Sequence, residues 1–252
     1  MDLPGRTDEL VSAVAAANPK TVVVVQSGSP VAMPWADSVA AVVQAWYGGN
    51  ETGNAIADVL FGDVNPSGKL PLSFPIRVED NPAFFNYRSD HGRVLYGEDV
   101  YVGYRFYETV KRPTLWSFGS GLSYTTFDLL DLSIKQEQRD GRENLLIDVG
   151  VKNTGSVDGA QVVQVYVTAR SSSIKRPVKE LKGFTKVFVK AGETVAAKVS
   201  IERKYAASIW DETRHKWVEE AGAYDVLVGD SSSNILLKGQ FEVSGTTWWS
   251  GL

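Results

Sequence analysis

The first third of the chain alternates helix-type and strand-type hydrophobic patterns. Residues 7–17 carry apolar side chains at helical spacing and predict an amphipathic helix. Residues 21–26 and 41–47 are apolar runs without polar alternation, which is typical of strands buried in a parallel sheet. A second helix is predicted over 51–61, closed by Gly62. The apolar positions of the first helix are Leu10, Val11, Val14 and Ala15.

Strand, turn and helix follow one another in the order of a doubly wound α/β sheet. Only about two strands are present, whereas open sheets have roughly four to six. Residues 1–83 therefore predict part of an α/β sandwich domain rather than a whole one. We expect Asn50 or Thr52 to cap the second helix.

Residues 84–124 are rich in aromatic side chains and interrupted by glycine, with little periodicity. A long segment without clear elements is usually functional or packed against another part of the molecule. We interpret it as a bridge that lies over neighbouring structure.

From residue 125 to 252 the pattern becomes all-β. Seven short alternating segments separated by turns predict a β-sandwich with the immunoglobulin type of architecture. Tyr224, after Ala221-Gly222-Ala223, resembles a tyrosine corner. The predicted strands are 129–135, 145–152, 162–168, 181–189, 195–201, 224–228 and 235–243.

Composition narrows the functional classes. The 252 residues are 43% hydrophobic and 22% charged, with a formal net charge of -4, which gives no reason to expect nucleic acid or an anionic membrane as partner. The chain has no cysteine, so disulfides and thiolate metal sites are excluded. Its apolar runs are too short to span a bilayer and its start is not a signal peptide, so cytoplasmic and secreted locations both stay open.

Metal, serine-nucleophile and phosphate chemistry have little support. The two histidines, His91 and His215, lie in unrelated segments, and we expect surface or hydrogen-bonded side chains rather than ligands. No nucleophile elbow is present. The glycine-rich turn over 48–53 matches no phosphate loop, and Glu51 would repel phosphate. We expect no cofactor.

Paired carboxylates are the remaining possibility. Glu98 and Asp99 lie beside tyrosines in the bridge, where aromatic faces next to carboxylates suit a sugar. The structural alternative, in which Glu98 and Arg105 lock the bridge to its neighbours, is favoured because nothing fixes two carboxylates opposite each other. The carboxylates considered are Glu51, Asp58, Glu98, Asp99 and Glu108.

Several strings together resemble glycoside hydrolase family three, the β-glucosidase family. The most recognisable is QAWYGGNETGNAIADVLFGDVNPSGKLPLSFP, residues 44–75. DLPG with ELVSAVAAANPKTVVVVQSGSPV, and then YGEDVYVGYRFYE with FGSGLSYTTF, are similar to flanking passages of its second domain. VKNTGSVDGAQVVQVYV, KELKGFTKV and AGAYDVLVGDSS resemble the fibronectin type III-like domain that follows in many members. The terminal TTWWSGL is similar to the fungal branch.

The resemblance implies the C-terminal part of a retaining β-glucosidase. In the family, the nucleophilic Asp lies in an N-terminal barrel and the acid/base Glu lies shortly before the string matching Leu3-Pro4-Gly5. No catalytic, substrate-binding or metal-binding residue is therefore assigned in this chain. Its expected role is structural support of an active site that hydrolyses terminal β-D-glucosyl residues, and the isolated chain is expected to be inactive.

The implied partners are a β-glucoside bound by the complete enzyme, an N-terminal barrel domain or partner chain, and a second copy of the chain in a homo-oligomer. Trp46 and Tyr47 stand where α/β sheets meet ligands, although core positions are favoured for both. The alternative function is a stand-alone carbohydrate- or protein-binding module, whose platform would be the exposed members among Tyr96, Tyr101, Tyr104 and Tyr107. A third hypothesis makes the chain an enzyme through Glu98 or Asp99.

Overall fold

The computed structural model describes residues 1–251 as an α/β body followed by a β-sandwich. The body begins with α1 (Thr7–Ala17), β1 (Val22–Val25), β2 (Ala41–Gln44) and α2 (Thr52–Phe61). The next elements are β3 (Phe74–Pro75), α3 (Tyr104–Val110) and β4 (Thr114–Trp116). Single 3-10 turns lie at Ala36–Ser38 and Val78–Asp80. This mixed organisation, with a partial α/β part before a sandwich, confirms the predicted fold class.

The two parallel strands pair in register from Val22 opposite Ala41 to Val25 opposite Gln44. The strand predicted over 41–47 was too long, because it ends at Gln44. Two residues later Trp46 has a positive φ of 55°, a left-handed conformation that breaks a strand.

The core of the α/β body is small and aromatic. Val25, Val31, Met33, Trp35 and Phe74 form its buried centre. Each such side chain contributes about 1.5–3 kcal/mol when fully removed from water. The Trp35 indole also donates a 2.7 Å hydrogen bond to the Asp8 carboxylate, which fixes α1 against this core.

Much of the predicted apolar face of α1 stays in solvent. Ala15 is buried, but Leu10 and Val14 are exposed. On α2, Leu60 and Phe61 are also exposed. Helices of a complete α/β sandwich bury their apolar faces against neighbouring elements. Within residues 1–251, these parts of α1 and α2 have no such neighbour.

The cap predicted for the C-terminal end of α2 is confirmed, and the one predicted for its N-terminal end is wrong. Gly62 closes the helix with φ +85° and its N–H bonded to the Val59 carbonyl, as predicted. The predicted N-terminal cap was wrong, because Glu51 occupies the cap position without a side-chain capping bond. The Thr52 hydroxyl instead donates to the Gly49 carbonyl, 2.6 Å away.

The bridge contains regular elements that periodicity did not reveal. α3 begins after Gly103, and β4 pairs antiparallel with β3, placing Trp116 opposite Phe74. The expectation of a segment without clear elements was therefore wrong for 104–116. These elements are short, so no hydrophobic period could develop in the sequence.

The sandwich contains all seven predicted strands. The strand bounds are β5 (Phe127–Arg139), β6 (Arg142–Asn153), β7 (Gly159–Ala169), β8 (Glu180–Val189), β9 (Thr194–Glu202), β12 (Gly222–Gly229) and β13 (Ile235–Val243). β13-β12-β7-β8 form one sheet and β5-β6-β9 the other. Their inward-facing side chains form the larger core, which includes Leu145, Ile147, Val163, Val226 and Phe241.

The tyrosine corner is confirmed. The Tyr224 hydroxyl is buried and donates a 2.9 Å hydrogen bond to the Glu220 carbonyl, four residues upstream. Its ring stacks on Phe241 with centroids 5.1 Å apart. One side chain therefore joins the start of β12 to both its own loop and the neighbouring strand.

A small third sheet was not predicted. It consists of β10 (Ile209–Asp211), β11 (Lys216–Glu219) and β14 (Thr247–Trp249), next to the short helix α4 (Arg203–Ala207). Trp217 lies opposite both Trp210 and Trp249. Strands of three or four residues are too short to show alternation, so their cross-strand tryptophan contacts hold them together instead.

No helix within residues 1–251 has the length and apolar character needed to cross a bilayer.

Candidate functional site

The carboxyl edge of the two parallel strands is the first candidate surface, since open α/β sheets bind ligands there. The Gln44 side chain donates to the Ser27 carbonyl and hydroxyl at 3.3 Å and 3.1 Å, which joins the ends of β1 and β2. Its Oε1 is buried and has no hydrogen-bond partner among the described residues. The edge thus presents a polar atom without the partner that burial normally demands.

Trp46 and Tyr47 have different environments. Trp46 is half-buried and packs on Phe74, with ring centroids 6.0 Å apart, so the core interpretation is confirmed for it. Tyr47 is 82% exposed, so that interpretation was wrong there. The Tyr47 ring lies over Gly28, where an added Cβ would come within 2.5 Å of the ring. Gly28 therefore allows the tyrosine to lie across the sheet edge.

The carboxylates of the bridge have local partners. Glu98 accepts a 3.1 Å hydrogen bond from Asn86, another residue of the bridge. Asp99 is exposed and has a positive φ of 53°. Arg105 pairs with Glu180 of the sandwich at 3.3 Å. The locking role is thus confirmed for Arg105, whereas Glu98 braces the bridge internally.

The other three candidate carboxylates are separated along the fold. Glu51 is exposed and accepts a hydrogen bond from Asn54 within the first turn of α2. Asp58 is half-buried further along the same helix. Glu108 on α3 receives the Lys179 ammonium at 3.1 Å and the Ser232 hydroxyl at 2.9 Å. Across residues 1–251, no hydrogen bond joins two of the five candidate carboxylates.

Two of the four tyrosines proposed as a platform lie inside the molecule. Tyr104 stacks on Phe118 at 4.7 Å, and its hydroxyl accepts a 2.7 Å bond from the Leu181 N–H. Tyr107 is buried. Tyr96 is 89% exposed and Tyr101 is half-buried. The exposed members available for such a platform are therefore Tyr96 and, in part, Tyr101, because α3 turns the other two into the junction between body and sandwich.

The electrostatics of this junction keep its phenols neutral. Burial, reinforced by the Asp80 charge and opposed by Arg112, raises the pKa of Tyr107 to about 12. Burial likewise raises the pKa of Tyr104. Both hydroxyls therefore remain protonated near neutral pH and act as hydrogen-bonding groups rather than acids.

Both histidines lie at the surface, as expected. His91 is 95% exposed beside Asp90, and His215 is exposed. In the described part of the chain, no three side chains of the His, Asp and Glu types cluster as metal ligands would.

The sequence did not reveal that Asn65 joins the two domains. Its amide donates to the Asp158 carbonyl at 3.0 Å. Its carbonyl oxygen accepts from the Ser123 hydroxyl at 2.9 Å and from the Tyr124 N–H at 2.8 Å. These partners are more than fifty residues away, so no local spacing could indicate the role.

Comparison with known proteins agrees with this architecture. Residues 1–104 match the glycosyl hydrolase family 3 C-terminal domain, and residues 161–232 match a fibronectin type III-like domain. The first match thus falls on the α/β body and its bridge, and the second falls on the sandwich. The chain belongs to glycosyl hydrolase family 3 and corresponds to the C-terminal part of its members.

The chain is similar along its whole length to β-glucosidases. It is 55% identical to probable beta-glucosidase I of Aspergillus fumigatus, covering 100% of this chain and 30% of that protein. The crystal structure of a Kluyveromyces marxianus β-glucosidase in complex with glucose superposes with a TM-score of 0.95 and 54% identity, again over 100% of this chain and 30% of that one. β-Glucosidase 3B from Thermotoga neapolitana superposes with a TM-score of 0.91 and 36% identity, over 99% and 35%. The chain therefore spans about 30% of the length of the Aspergillus fumigatus and Kluyveromyces marxianus relatives.

Proposed function

We propose that these residues support the active site of a retaining β-glucosidase that hydrolyses terminal β-D-glucosyl residues. The observation that carries the proposal is the 54% identity over the whole chain to an enzyme whose structure is described as a glucose complex. The reactive carboxylates belong, in this proposal, to polypeptide that corresponds to the rest of the relatives.

The chemistry of retaining glycosidases supports placing the two reactive carboxyl groups outside this chain. Retaining glycosidases hold two carboxyl groups about 5–5.5 Å apart, one as nucleophile and the other as acid and then base. The nucleophile forms a covalent glycosyl intermediate that water then hydrolyses. Glu98 bonds within the bridge, Asp99 is exposed, and Glu108 is held by an ammonium and a hydroxyl of the sandwich. This chain therefore contributes position rather than proton transfer.

The exposed apolar surface supports a covering polypeptide. Leu10, Val14 and Phe61 present apolar side chains on the helices of an incomplete α/β body. Phe85 and Tyr96 are about nine-tenths exposed in the bridge. Burying these side chains against the N-terminal part of a family member would complete the body and hold its carboxyl edge in place.

Complementation tests the proposal directly. The purified chain is mixed, or coexpressed, with the remaining N-terminal part of the Kluyveromyces marxianus enzyme, and hydrolysis of an aryl β-glucoside is measured. We expect activity in the mixture and none from either part alone. Glu98→Gln and Asp99→Asn variants should complement as well as the parent chain.

Two outcomes would contradict the proposal. Hydrolysis by the isolated chain that disappears in Glu98→Gln or Asp99→Asn would make it an enzyme in its own right. Association of the two parts without any activity, together with saturable sugar binding by the chain alone, would indicate a stand-alone binding module.

A further inference from the structure

A polar cleft opens where the α/β body meets the sandwich. It has a volume of about 580 Å³ and lies between α3, β4 and the loop that follows β12. This size is within the roughly 300–1,000 Å³ range of small-molecule sites. We call it the junction cleft, and the lining residues that matter here are Glu108, Lys111, Trp116, Ser117, Ser120 and Ser233.

Three serine hydroxyls in the lining of the junction cleft contact one another. The Ser117 Oγ lies 2.7 Å from the Oγ of Ser120 and 2.7 Å from that of Ser233. Each hydroxyl has one donor and two acceptor positions. Two shared bonds leave unused capacity of both kinds, so the trio can both give and accept further hydrogen bonds.

Charged groups of both signs also line the junction cleft. Glu108 is held between Lys179 and the Ser232 hydroxyl, and each of its oxygens keeps a lone pair beyond those bonds. Lys111 is exposed at the end of α3 and has no ion-pair partner among residues 1–251. Arg112 binds Asp80 through one nitrogen at 2.7 Å, which leaves further guanidinium donors.

Aromatic side chains add apolar surface to this polar wall. Trp116 is half-buried and packs its ring against Phe74 with centroids 5.3 Å apart. Tyr107 also lines the junction cleft. The hydrogen bonds and ring contacts that fix these side chains reduce the ordering cost of binding.

We propose that the junction cleft binds a neutral saccharide of one or two pyranose units. A sugar carries hydroxyls that donate and accept, together with C–H faces that suit an aromatic wall. The lone pairs that Glu108 keeps beyond its two bonds accept from a donor, which a sugar hydroxyl supplies and an ionised carboxylate does not. The many polar groups disfavour a purely apolar ligand. Because the test measures binding to this chain without hydrolysis, the inference stands or falls separately from the proposed function.

The experiment titrates the full 252-residue chain with glucose and with cellobiose, by calorimetry or saturation-transfer NMR. The cleft variants are Lys111→Met and the double change Ser120→Ala with Ser233→Ala. Matched controls are Lys20→Met and Ser29→Ala, which alter exposed residues of the α/β body outside the cleft. All variants change surface or half-buried side chains, so circular dichroism should show the parent fold.

We expect at least one of the two sugars to bind saturably and each cleft variant to raise its Kd by about tenfold, the factor that corresponds to loss of roughly one good hydrogen bond. The control variants should keep the parent Kd. Saturable binding that the cleft variants leave unchanged would overturn the proposal, as would absence of binding by both sugars. Inorganic phosphate is titrated in parallel, and phosphate binding without sugar binding would also overturn it.

Discussion

Arg176 and Glu220 form a charged hydrogen bond of 3.0 Å between two side chains that are each about nine-tenths buried. Ser172 and Ser173 also donate hydrogen bonds to the same carboxylate, and the Arg176 guanidinium reaches the Ala207 carbonyl at 2.7 Å. Glu220 precedes the tyrosine corner, so one carboxylate links the loop after β7 to the start of β12.

This link predicts an acid-sensitive contribution to stability. Burial opposes ionisation of Glu220, but hydrogen bonds from Ser172, Ser173 and Arg176 outweigh it and lower the pKa of the carboxyl from 4.5 to about 2. Between those values the unfolded chain binds more protons than the folded one, so the free energy of unfolding falls as pH drops through this window. The contribution is fully present above about pH 5.

Glu220→Gln tests that link. The amide cannot compensate the buried Arg176 charge, so we expect a loss of about 2–4 kcal/mol at pH 7. Urea unfolding at pH 7 and pH 3 should show a smaller difference between parent and variant at pH 3. Equal losses at both pH values would show that Glu220 contributes packing rather than charge.

Tyr224→Phe should lower the free energy of unfolding by about 1–2 kcal/mol, because it removes the buried bond to the Glu220 carbonyl and leaves that acceptor without its donor. The ring contact with Phe241 is preserved. Tyr205→Phe, at a partly exposed position, is the control and should change stability by less than about 0.5 kcal/mol. Urea unfolding of the three proteins at one pH measures both effects.

Gly119→Ala should destabilise the junction by about 2–3 kcal/mol. Gly119 has φ +81°, and an added Cβ would lie 2.1 Å from Oε1 of the buried Gln164. The Gln164 amide donates to the Gly119 and Asp230 carbonyls, so it cannot move away without breaking both bonds. Gly245→Ala, with open space around the added Cβ, should leave the melting temperature nearly unchanged.

The isolated chain should self-associate and bind an apolar dye, because Phe61 and Phe85 are more than four-fifths exposed. Replacing both by serine should lower dye fluorescence and shift sedimentation toward the monomer. Leu236→Ser, a change at a less exposed sandwich residue, should have a smaller effect. A parent chain that is monomeric with low dye binding would contradict the expectation that these faces need a cover.

Long patterned segments were predicted well from the sequence. The helix Thr7–Ala17 and the seven sandwich strands were found because apolar side chains recur at the period of each element. Gly62 and Tyr224 were found because their roles depend on local backbone geometry. The short strands around Trp210, Trp217 and Trp249 were missed because three residues cannot establish a period.

Site predictions failed where a role depends on a distant partner. Tyr104 and Tyr107 belong to an aromatic-rich segment that suits a surface platform, but α3 buries much of both. Glu108 looked like one carboxylate among five, and the fold placed it between Lys179 and Ser232. The Lys179 and Ser232 contacts join residues far apart in the chain, so the spacing of residues around Glu108 could not indicate them.

The sequence by itself determined the two-part organisation of this protein, because hydrophobic period and turn chemistry act over a few neighbouring residues. Its motifs also determined the family, which the matches over 1–104 and 161–232 confirm. Only the tertiary structure decided which polar side chains meet, such as Asn65 with Asp158 and Ser117 with Ser233. Such pairs form between residues far apart in the chain, where the packing of whole elements, rather than local preference, sets the distance between two atoms.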